Sequence, residues 1–178
     1  MLRVTTLLLL LAVLRPSTAL AQDPRLAARL DSATHAQVES VIAGARADGL
    51  PAEPLVQKAL EGASKGAAGP RIVAAVASTL ADLRRAREAL GANASADDIV
   101  ATAAALRAGA TPTMVSEMRR VDHHAGLAVP LGVFTDLVAG GVPVGAAWRS
   151  VAELAERGGD AQEFLDLRDR LRPPVESP

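Results

Sequence analysis

The chain has no cysteine and no tyrosine, and its aromatic side chains are Phe134, Phe164 and Trp148 alone. The missing thiol excludes a disulfide framework, a cysteine nucleophile and lipid attachment behind a leader. So few aromatic rings leave little from which to build platforms for sugar rings. A strong charge of one sign is absent too: 19 basic against 20 acidic side chains give a net of −1. That is not the electrostatic footprint of a nucleic-acid binder, nor one that draws a protein to anionic lipid. Past the first stretch of leucines no long apolar run recurs, so nothing else could span a bilayer. What is there in quantity is alanine, the best helix former, within an apolar fraction of 49%. Alanine buries little area. At about 25 cal/mol per Å² a core of Ala, Val and Leu gains less per residue than an aromatic one, which favours closely packed helices.

Met1–Ala21 has the layout of a secretory signal peptide. Arg3 makes the start positive, Val4–Leu14 is apolar with five consecutive leucines, Pro16 and Ser17 break the run, and Ala19-Leu20-Ala21 offers small residues to a peptidase. Cleavage is expected before Gln22. The apolar run is too short for a hydrocarbon core of about 30 Å, which needs about 20 residues, so no membrane insertion is expected after cleavage. The segment takes two of the 19 basic side chains and no acidic one, leaving 17 against 20 and a net of −3. The expected location is the periplasm or the extracellular space of a bacterium.

Residues 22–172 read as a single all-α domain and 173–178 as a loose tail. Asp23-Pro24 reads as a cap with proline at the first helical position. Val38, Val41, Ile42 and Ala45 recur at helical spacing and stop at Asp48-Gly49. The chain then repeats itself. Leu55-Val56, Ile99-Val100 and Ala147-Trp148 occupy matching places at offsets of 44 and 48 residues. Each opens a helix ending in glycine, at Gly66, Gly109 and Gly158. Pro70-Arg71-Ile72-Val73 matches Pro112-Thr113-Met114-Val115, and Phe164-Leu165 follows more loosely. The expectation is an N-terminal helix and about three helical hairpins of roughly 45 residues. That period lies in the range of HEAT and armadillo-type repeats, and a compact helical bundle would accommodate it equally. Pro130 and His124-Ala125-Gly126 interrupt the middle unit, which splits into helices near 112–123 and 130–139. Ser95 with Asp98, Thr111-Pro112, and Asp160 with Glu163 read as helix caps.

For chemistry, Asp122-His123-His124 is the most suggestive cluster, since His and carboxylate ligate zinc and similar metals. Adjacent histidines on a helix diverge by about 100°, whereas helical zinc motifs space them four apart. A solvated helix end accounts for them as well. No serine elbow or nucleotide-binding loop is present. Glu53, Glu61, Glu153 and Glu156 could form a glycosidase pair, but each suits a solvated helix face. Arg84-Arg85-Ala86-Arg87 and Arg119-Arg120 are small basic patches beside acidic neighbours, and Asn93-Ala94-Ser95 matches a glycosylation pattern that a bacterial context leaves idle. Trp148 is either a partner anchor or, by its slot in the repeat, core. The first functional reading is a non-enzymatic exported scaffold that binds another envelope protein through stacked hairpins, with no cofactor and no nucleic acid. The alternative is a small metal-dependent or hydrolytic envelope enzyme centred on Asp122, His123 and His124.

Overall fold

The computed structural model describes residues 23–121 and 126–172. The expected leader, the tail and the Asp122-His123-His124 cluster therefore lie outside the described residues. Those residues form helices and no strands: α1 (Pro24–Ala27), α2 (Ser32–Ala47), α3 (Glu53–Ser64), α4 (Gly69–Leu90), α5 (Ala96–Arg107), α6 (Pro112–Arg120), α7 (Ala128–Ala139), α8 (Val144–Glu156) and α9 (Ala161–Leu171). None is long and apolar enough to cross a membrane.

Local chemistry sets the boundaries. Asp23 accepts from the Arg25 N–H at 2.9 Å, and Asp31 from Ala33 and Thr34 at 3.1 and 3.0 Å. Thr111 Oγ1 accepts from Met114 N–H at 3.2 Å. Asp160 and Glu163 bond each other's backbone N–H reciprocally at 2.9 Å, a complete capping box. Gly66, Gly109 and Gly158 all stop their helices at positive φ, which glycine reaches without steric cost. Pro130 lies in the first turn of α7, where backbone N–H groups have no intrahelical partner. The ring is tolerated there, and the helix begins two residues earlier than the proline would suggest.

Two helices organise the bundle. The 22-residue α4 carries α2, α3, α5 and α6 around it, burying Ile72, Val76, Leu80, Leu83, Ala86 and Leu90. The second is α7, which carries α5, α8 and α9. Its apolar residues run nearly all round, with Asp136 its sole charge, and such a helix must be covered on several sides. Helix α5 touches both organisers and joins the two groups. Helix α7, from the long middle unit, is thus the hub of the C-terminal half. Helix α6 rests mainly on α4 rather than on its sequence neighbour α5.

Packing equivalence across the repeats holds at one slot and fails at the next. Leu55, Ile99 and Ala147 are all buried. Their followers are not alike: Val56 is buried, Val100 exposed and Trp148 half-buried. In the second halves Ile72 and Phe164 are core, but in the middle copy it is Val115, one residue later, because Met114 is drawn into the cap of α6. Asp82, which the pattern puts on the polar face of α4, is buried. Arg85 bonds it, and Arg107 of α5 reaches within 3.7 Å.

The start of the described residues is fastened by α1. Leu26 is wholly buried, and the Asp23 N–H donates to Glu39 Oε1 at 3.0 Å. Arg25 bridges Asp23 and Glu53 of α3. At the other end of α2, Arg84 of α4 pairs with Asp48 at 2.7 Å, and Arg87 donates to the Gly49 carbonyl at 2.6 Å.

Close approach of a side chain to helix backbone is built in at Gly62 and Gly69. A Cβ on Gly62 would lie 2.9 Å from Ile72 Cγ1, and one on Gly69 only 2.1 Å from Thr34 Oγ1, which itself bonds Asp31 at 2.6 Å. Gly69→Ala should therefore lower stability by about 1–3 kcal/mol through overpacking. Gly44, mid-helix with open space beside it, is the control: Gly44→Ala should raise stability by roughly 0.5–1 kcal/mol. Urea unfolding of both variants checks the pair; equal shifts would contradict this packing.

Candidate functional site

Val121 follows α6, and Gly126, whose φ is +70°, stands two residues before α7. The Leu127 N–H donates to Asp98 Oδ1 of α5 at 2.8 Å. Asp98 is thus a tertiary cap for α7 as well as part of its own helix's first turn. Its sequence spacing from Ser95 shows only the second role. Among the described residues no three His, Asp or Glu side chains converge as a metal site. His35 sits on α2 with Nε2 buried, 3.8 Å from Glu39 Oε1 and beyond hydrogen-bond reach.

The candidate carboxylates do not form a pair. Glu53 accepts from Arg25 and Gln57, and Glu61 from Lys58 and Lys65. Hydrogen bonds from Arg25 and then Gln57 hold Glu53 below the usual carboxylate range, and those from Lys58 and Lys65 hold Glu61 down to about 2. A general acid needs the opposite, a carboxyl kept protonated near neutrality. Glu153 and Glu156 are exposed on α8. The basic patches are largely occupied inside the fold. Arg84 and Arg87 clamp the turn after α2, Arg85 bonds Asp82, and Arg119 reaches the Ala89 carbonyl at 3.4 Å.

A different feature lies where the two helical groups part. Between α6 and α8 runs a groove of about 180 Å³, lined by Glu117, Met118, Val121, Trp148, Ala152 and Glu156. On α8, Trp148, Ala152 and Glu156 are four apart and so share one face. Trp148 packs edge-on against buried Phe134, with centroids 5.8 Å apart at 83°. That contact fixes one edge of the indole in the core while the ring also borders the groove. Ala152, one turn on, is too small to fill the space beside it. Met118 supplies a buried floor from α6. The spacing on α8 is visible in sequence; the meeting with α6 is not.

Three other clefts differ in character. One of about 710 Å³ between α8 and α9 is open and lined by Arg157, Glu163, Asp166, Asp169, Arg170 and Leu154. The others, beside Arg85 and Glu88 and beside Asp136 and Arg168, also carry charges of both signs. The α6–α8 groove combines an apolar floor with charges of one sign.

No protein-family model, curated protein or solved structure matches the chain, so its class is defined by its architecture: an all-α bundle of short helices on two central ones.

The lowered Glu61 carboxyl gives a pH test. Because its folded value lies below the unfolded 4.5, its contribution is present above pH 4.5 and lost as pH falls toward about 2. The stability advantage of the native chain over Glu61→Gln should shrink across that window. Chemical unfolding at several pH values measures it; a difference that grows on acidification would contradict the assignment.

Proposed function

We propose that the chain is an exported, non-enzymatic binding protein of the bacterial envelope that engages another envelope protein through the groove between α6 and α8. The carrying observation is the half-buried Trp148, held by Phe134 on one side and left beside unfilled apolar space on the other. Tryptophan is the residue most enriched among interface anchors, and a partner side chain that seals such a site gains burial against a surface already ordered. A volume of about 180 Å³ is below the roughly 300–1,000 Å³ of small-molecule pockets, which favours a side chain presented by a macromolecule. The leader-like layout of Met1–Ala21 supports export.

The test is site-specific photo-cross-linking in the native cells, with the photoreactive amino acid replacing Glu156 at the groove or Lys58 on the far group of helices. A discrete product at Glu156, lost when Ala152→Leu fills the groove and absent at Lys58, is expected. Identical products at both positions, or none at Glu156, would overturn the reading.

A further inference from the structure

We infer that the α6–α8 groove is selective for a partner segment that presents an aliphatic side chain between lysine or arginine residues. The inference rests on the binding role proposed above and specifies the partner's chemistry. Its floor is Met118, Val121, Trp148 and Ala152, and its volume suits about one large aliphatic side chain. Methionine beside an unfilled gap adapts to the shape of what enters, since its unbranched side chain has three rotatable bonds.

The rim supplies the second element of recognition. Glu117 and Glu156 line the groove, one from α6 and one from α8, and both are exposed. Among the described residues neither takes part in an ion pair, whereas Glu53 and Glu61 are each neutralised by bonded cations. Arg149, the arginine of α8, turns back to the Gly145 carbonyl at 3.3 Å. Two like charges over one apolar slot favour cations on either side of the inserted group and repel an acidic segment. Charges at a rim act chiefly on encounter and on partner choice rather than on raw affinity. The expected signature is therefore selectivity that salt weakens.

Trp148 is the single tryptophan of the chain, so its fluorescence reports on this groove alone. The probe is a synthetic helix-forming peptide with leucines four apart and lysine or arginine at its charged positions; a twin carries glutamate at those positions. The basic peptide should give a saturable blue shift, and the acidic twin none. The combined Glu117→Gln and Glu156→Gln variant should bind the basic peptide about tenfold more weakly, as should salt near 1 M, where screening acts within about 3 Å. Ala152→Leu should abolish the response while leaving both glutamates in place. Equal shifts from both peptides, blocked by Ala152→Leu, would overturn the charge selectivity and leave the groove as a binding site. No Trp148 response to either peptide would overturn the inference, with cross-linking at Glu156 then judging the binding role separately. Concentration-dependent dimerisation without peptide, lost in Ala152→Leu, would assign the groove to a second copy and also overturn it.

Discussion

Burial of leucine, valine, isoleucine and alanine between closely packed helix faces is what holds this chain together. With three aromatic rings, large side chains cannot bridge wide gaps, and dispersion falls off steeply once surfaces part by even a fraction of an ångström. At two places a missing side chain lets a neighbouring side chain pack directly on a helix backbone. Gly62 lets α3 lie against Ile72, and Gly69 lets the start of α4 lie against Thr34. Helix α5 buries Ile99, Thr102, Ala103 and Ala105, and its small side chains let it fit between both organising helices.

The core is gathered around two centres rather than one. Its aliphatic burial is spread over many contacts, with Phe134 and Phe164 as buried rings among the described residues. Helix α4 gathers four neighbours and α7 three, with α5 common to both. The cost falls at the seam. Helix α6 is nine residues long, buries Val115 and Met118, and leaves its far side opposite α8 without a filling helix. The candidate groove is thus a consequence of how two small groups of helices meet. The salt links found elsewhere, such as Arg25 with Glu53 and Arg84 with Asp48, are exposed and fix orientation more than they add stability.

Much of this was legible in the sequence, for local reasons. Caps such as Asp160 with Glu163, and stops such as Gly66, Gly109 and Gly158, depend on neighbours a few residues away, and so they stand in the sequence itself. The first apolar slot of the repeat was legible because Leu55, Ile99 and Ala147 each face inward whatever lies beyond. The second slot was not, since rotation of each helix against different neighbours decides it: Val100 is turned outward and Trp148 sits at a seam. The role of α7 was hidden behind Pro130, which reads as an interruption although it occupies a permitted first-turn place. Asp98 capping Leu127, and Arg84 and Arg87 clamping the turn at Asp48-Gly49, join residues 29 to 38 apart in sequence. No local pattern announces such pairings. The Asp122-His123-His124 cluster lies outside the described residues; the acid-rimmed groove takes Val121, the residue before it in sequence, as part of its lining.

The central claim is that α4 and α7, bridged by α5, are the two hubs on which everything else rests. Native-state hydrogen exchange tests it most directly, because amides in such hubs open only with the whole domain. The account predicts the slowest exchange in α4, α5 and α7, with α6 opening well before them. Equal protection in α6, or a slowest core confined to the α8–α9 pair, would contradict it.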